Sequence, residues 1–140
     1  MEKKKVKLTI SSYIRNIDDG AAEDPEVSDT QLQGELGERD GCVFLSYREE
    51  TESGAVYCDI KAAEDKVTVL RRGAIESTMV FERGREFKTL YKLPPYSFDM
   101  EIETLEIKQQ REACTFKLTL RYKMKIGGQE KFCRMKIEAV

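Results

Sequence analysis

The 140-residue chain contains no histidine. That absence removes Ser-His-Asp and Cys-His catalysis, histidine-ligated zinc and an imidazole switch near neutral pH. Its four cysteines, Cys42, Cys58, Cys114 and Cys133, lie too far apart for the close pairs of a zinc ribbon or a redox CxxC motif. They read as buried small apolar residues, left as free thiols in a reducing compartment. No apolar run approaches the length of a spanning helix, and the start, Met1-Glu2-Lys3-Lys4-Lys5, lacks the apolar stretch of a secretory signal. A cytoplasmic protein that engages no membrane is expected. Glycine-rich phosphate loops, nucleophile elbows and calcium loops are missing as well. The chain is therefore not expected to be an enzyme or to carry a metal or cofactor.

What is present is charge and alternation. Hydrophobic residues make up 40% and charged residues 36%, a balance that supports one globular domain over residues 1–140. About two thirds of the surface of a chain this size can be buried on folding. Net charge is −2, but it runs in blocks: +4 over residues 1–17, −12 over 18–65, +1 over 66–110 and +5 over 111–140. Such blocks either steer an anionic partner or neutralise one another side by side in a folded sheet.

Period-two patterning dominates. From Cys114 to Ile126 the apolar residues Phe116, Leu118, Leu120, Tyr122 and Met124 fall on one face, with Lys117, Thr119, Arg121, Lys123 and Lys125 on the other. Gly127-Gly128 fits a two-residue hairpin turn, after which Cys133, Met135, Ile137 and Ala139 resume the alternation. Earlier segments repeat the theme between short turn signals and predict about ten strands, with no helical periodicity sustained for three turns. After Ile102 the apolar phase slips to Leu105 and Ile107, which places a β-bulge near Thr104. Open sheets leave aggregation-prone edges, so the pattern predicts an all-β, closed, antiparallel up-and-down barrel of eight to ten strands. A two-sheet sandwich is the alternative. The acidic stretch Asp18 to Asp29 reads as a loop.

The run Val43-Phe44-Leu45-Ser46-Tyr47 with Glu49-Glu50, then Val69-Leu70-Arg71-Arg72-Gly73, Phe81, Gly84, Tyr91, Pro95-Tyr96, Phe98 and Thr104, resembles the YwiB-like bacterial domain of unknown function. The likeness spans roughly residues 30–140. It implies a calycin-like, lipocalin-type barrel of small bacterial cytosolic proteins and no established activity. Ser97 stands where that pattern has a glycine after the proline-aromatic pair.

Strand parity singles out Arg71, which shares a face with Val67 and Val69, whereas Arg72 shares one with Leu70. An inward guanidinium keeps its charge, so it needs a carboxylate such as Glu49 or Asp59, water at the barrel mouth, or a bound anion. Tyr47, Tyr57, Tyr91 and Tyr122 lie within strand patterns, each a large ring with a hydroxyl that wants a partner. They either fill the core or, with Arg71, line a site for a small, partly apolar, anionic ligand. The ligand set expected is Arg71, Tyr47, Tyr91 and Tyr122; a cavity of roughly 300 Å³ or more opening near Arg71 would favour it, and a filled interior would remove a ligand held there. The competing reading is an interaction module: a homodimer through an exposed strand, or an acidic partner, RNA included, on the basic C-terminal hairpin. Nucleic acid is not expected, because the stripe Lys117, Arg121, Lys123, Lys125, Lys131, Arg134 and Lys136 is interleaved with threonines and not with aromatic rings.

Overall fold

Residues 1–17 and 25–140 are described by a computed structural model. They form ten strands: β1 (Lys3–Asn16), β2 (Glu26–Arg39), β3 (Cys42–Thr51), β4 (Gly54–Ala62), β5 (Lys66–Gly73), β6 (Glu76–Glu82), β7 (Glu86–Leu93), β8 (Tyr96–Arg111), β9 (Phe116–Ile126) and β10 (Gln129–Ala139). Each pairs antiparallel with its sequence neighbours, and β10 returns to β1, where Leu8 faces Ala139 and Asn16 faces Lys131. The barrel is closed, and the sandwich falls away. No helix occurs among the described residues, so none is long and apolar enough to cross a membrane.

Alternation translates directly into burial. Val43, Leu45 and Tyr47 of β3, Val56, Cys58 and Ile60 of β4, Val67 and Val69 of β5, and Phe116, Leu118, Leu120 and Tyr122 of β9 all point into the lumen. Their shared burial is the main driving force, at about 25 cal/mol per Å² of apolar surface removed from water. The Gly127-Gly128 turn carries the two positive φ angles, 58° and 78°, that a type I′ hairpin requires. The bulge sits between Thr104 and Glu106. Leu105 is the extra residue and is exposed, while Thr104 and Ile107 face inward, so the slipped phase begins at Ile107.

Three expectations need correction. Residues 26–29 belong to β2, not to a loop, because their backbone pairs with β1 from Ser11 to Ile14 although their side chains lack alternation. The rest of the expected loop, residues 18–24, lies outside the described residues. Cys114 precedes β9 and is exposed, and Cys42 is half-buried, so only Cys58 and Cys133 are core thiols. Tyr57 lies on the outer face, beneath the Arg48 guanidinium at 5.6 Å.

The two ends of the barrel differ. At the end bearing the β2/β3, β4/β5, β6/β7 and β8/β9 turns, Arg111 reaches from β8 to the carbonyl oxygens of Gly41 (2.6 Å) and Ala62 (2.9 Å). Gln109 donates to the Ala63 carbonyl, and Arg83 to that of Ile107 at 2.9 Å. Since β8 and β4 lie four strands apart in the wall, these bonds strap the end across its width. The opposite end carries the β3/β4, β5/β6, β7/β8 and β9/β10 turns, with half-buried Ile75, Met124 and Ile126 around its rim.

Candidate functional site

Near that end, which no such bonds strap among the described residues, one row of cross-strand partners runs around the wall: Gly34, Tyr47, Cys58, Arg71, Ser77, Tyr91 and Phe98. Directly paired residues share a face, so the row points inward as a set. Tyr47 at 7% exposure and Ser77 at 5% are buried, whereas Arg71 and Tyr91 are half-buried. Tyr122 joins from β9, its ring edge-on to Phe81 with centroids 4.8 Å apart. The parity argument thus holds: Val67, Val69 and Arg71 look into the barrel, and Arg72 looks out to Asp59 at 2.8 Å.

Asp59 being engaged outside the wall, Arg71 forms no ion pair among the described residues. Its side chain meets two sulfurs, that of Met79, 3.8 Å from Nη1, and the Cys58 thiol. Thioether and thiol sulfurs are weak acceptors, so neither matches the five N–H donors as a carboxylate or another anion would. Burial opposes the Arg71 charge, yet the adjoining Cys58, Tyr47 and Tyr122 side chains hold its pKa above the ordinary value. Burial likewise keeps the Tyr47 and Tyr122 hydroxyls protonated well above the usual range, with Arg71 pulling the other way. The site thus sets one fixed cation beside the protonated Tyr47 and Tyr122 hydroxyls, with Glu49 on the same face toward the rim.

Ser77 and Cys58 are residues that sequence reasoning did not assign to the site, whereas Glu49, one of the carboxylates expected to pair with Arg71, forms no ion pair with it. The Ser77 hydroxyl is buried without a hydrogen-bond partner, a state that costs about 1–3 kcal/mol when nothing fills it. Glu49 is half-buried on the inward face, two positions beyond Tyr47 toward the rim. The signal was parity, since Ser77 alternates with Met79 and Phe81 just as Arg71 does with Val69. A cleft of about 620 Å³ reaches the inward residues Arg71, Ser77 and Thr89 but is lined mainly from the outer face, by Leu70, Arg72, Glu76, Thr78, Leu90 and Lys92. It opens where β6 and β7 part: they pair only at Glu76↔Lys92 and Ser77↔Tyr91, after which Glu82 bonds to the Thr104 hydroxyl of β8 (3.1 Å). Deeper in the barrel the lumen is filled by side chains such as Phe81, Phe116, Leu118 and Leu120.

The basic hairpin differs from expectation in one respect. Tyr13 of β1 and Phe132 of β10 stand among its outward cations, their rings 6.4 Å apart and edge to face. Arg15 lies 5.0 Å and Arg121 5.6 Å from the Phe132 centroid, and Arg134 lies 5.2 Å from that of Tyr13. The stripe therefore does carry aromatic rings. Inspection of β9 alone cannot find them, because Phe132 lies on the polar phase of β10 and Tyr13 is contributed from more than a hundred residues away.

A family model described as a domain of unknown function, DUF1934, matches residues 10–138. The chain is 25% identical over 128 residues to the uncharacterized beta-barrel protein YwiB of Bacillus subtilis (strain 168), covering 90% of this chain and 88% of that protein. The crystal structure of the ywiB protein from Bacillus subtilis superposes with a TM-score of 0.86 at 23% identity, over 98% of this chain and 91% of the other.

Proposed function

This chain belongs to the DUF1934 family, and from that premise we propose that it is a cytosolic, calycin-like barrel that holds a small amphipathic anion at its unstrapped end. Arg71 receives the anionic head, Ser77 and the Tyr47 and Tyr122 hydroxyls add hydrogen bonds, and the Tyr91 ring with Ile75, Met124 and Ile126 shields the apolar part. The observation that carries this reading is the Arg71 guanidinium, turned inward beside the unpartnered Ser77 hydroxyl with no carboxylate paired to it. Few, well-placed polar groups in an apolar setting are the usual construction of small-ligand sites. The cleft in the wall beside it gives access to Arg71 and Ser77 from outside, and its volume of about 620 Å³ lies within the roughly 300–1,000 Å³ range of ligand pockets.

The test is titration with 1-anilinonaphthalene-8-sulfonate, an apolar anion whose fluorescence rises on burial, followed by displacement with decanoate. Saturable one-to-one binding is expected, weakened at least tenfold in Arg71→Met and several-fold in Tyr47→Phe. Arg71→Met should remain folded with a melting temperature close to the parent's, so that a loss of binding reports on the guanidinium and not on the fold. Equal affinity in a folded Arg71→Met variant overturns the assignment. Native mass spectrometry of protein taken from its own host gives the retained ligand's mass and the subunit count together.

A further inference from the structure

We propose that the outer face formed by β9, β10 and β1 is a second, separate site, one that binds single-stranded nucleic acid. Across the wall from β9 to β1 the outward positions pair as Arg121↔Arg134↔Tyr13 and Lys123↔Phe132↔Arg15, with Thr119↔Lys136↔Ser11 alongside. Two rings and four cations thus occupy two adjacent rows, with Lys136 in the row beside them. The cations differ in how they are balanced. Those of β9 face the carboxylates of β8, Glu106 opposite Arg121 (4.0 Å) and Glu103 opposite Lys123. Arg15 and Arg134 form no ion pair among the described residues; each instead lies over a ring.

Outward aromatic residues have no part in the core of a barrel, and two arginines set over them with no ion pair among the described residues are matched by a partner that brings both anions and flat faces. Bases stack on aromatic rings and on guanidinium planes alike, and phosphates meet the flanking Lys123, Lys125 and Lys136. A duplex hides its base faces from side chains on a convex wall, so the strand must be single. An acidic peptide would satisfy the cations and leave the rings without a role. This face lies outside the wall, whereas Arg71 faces the lumen, so the two sites are independent and can be tested apart.

The experiment is fluorescence anisotropy of a labelled twelve-nucleotide oligouridylate between 50 and 200 mM salt, with poly-glutamate as a competitor. Saturable binding that weakens steeply with salt is expected. Lys136→Gln should lower the log-log salt slope by roughly 0.7, the increment per phosphate contact on a single strand. The double variant Tyr13→Leu, Phe132→Leu keeps the charges, and it should bind about tenfold or more weakly with an unchanged slope. Arg71→Met should bind the oligonucleotide as the parent does. Absence of saturable binding at 50 mM salt, equal competition by poly-glutamate, or unaltered affinity in the folded ring variant each overturns the proposal.

Discussion

Cys133 and Cys114 are the same side chain in two different solvents. Cys133 lies in the lumen beside Tyr122, and burial pushes its thiol from the ordinary 9.0 up to about 11. Cys114 stands exposed between β8 and β9. Thiolate is the reactive form, so at pH 8 one equivalent of Ellman's reagent should react quickly at Cys114, with Cys58 and Cys133 following only on unfolding. A Cys114→Ser variant should lose that fast phase. The same shift predicts alkaline weakness. The folded thiol holds its proton more tightly than the unfolded one, so its contribution is whole below pH 9 and is lost as pH rises through about 11. That amounts to about 2–3 kcal/mol, and Tyr47 and Tyr122 add in the same direction. Thermal melts should be level near neutrality and fall above pH 9, less steeply in Cys133→Ala. Residue-level features that depend on one strand were readable in advance: parity alone turned Arg71 inward. Those that depend on what neighbours supply, such as the lone Ser77 hydroxyl or the Tyr13 and Phe132 rings, need the register.

At the scale of the strand, β2 is the least self-evident element. Glu26 to Asp29 carry no alternation, and Gly34 and Gly37 would ordinarily weaken a strand. Gly34 sits in the row opposite Tyr47, where an added Cβ would come within 2.7 Å of both the Leu8 side chain and the Ser46 carbonyl oxygen. Backbone cannot yield as a side chain does. Around Gly37 the nearest atoms belong to the flexible Met1 side chain, at 2.9 Å. Chemical denaturation should therefore show Gly34→Ala destabilised by about 1–3 kcal/mol and Gly37→Ala within about 0.5 kcal/mol of the parent. A glycine that breaks a pattern is legible as a close approach of backbones, but which neighbour approaches is not. In contrast, the long alternation of β9, the diglycine turn and the slip that marks the bulge are each written within one segment, and the structure follows them closely.

For the molecule as a whole, closure follows from an argument about edges, while the difference between the two ends does not. The strap depends on Arg111, Gln109 and Arg83 meeting carbonyls of Gly41, Ala62, Ala63 and Ile107 across the barrel, contacts that sequence spacing leaves hidden. Arg111→Ala removes donors to two strand ends at once and should lower stability by about 1–2 kcal/mol. Amide hydrogen exchange should quicken around residues 40–42 and 62–66 and stay unchanged in the rows near Arg71.

The wall is completed by one seam, where Lys7 and Val140 exchange backbone hydrogen bonds of 2.9 and 3.0 Å. The strand that leaves the ribosome first acquires its second neighbour from the strand that leaves last. Until then β1 has one bare edge, and the growing chain is an open ribbon that cannot yet enclose its apolar face. Closure therefore waits until β10 has been made, and a nascent chain stalled short of β10 should be the form that chaperones hold.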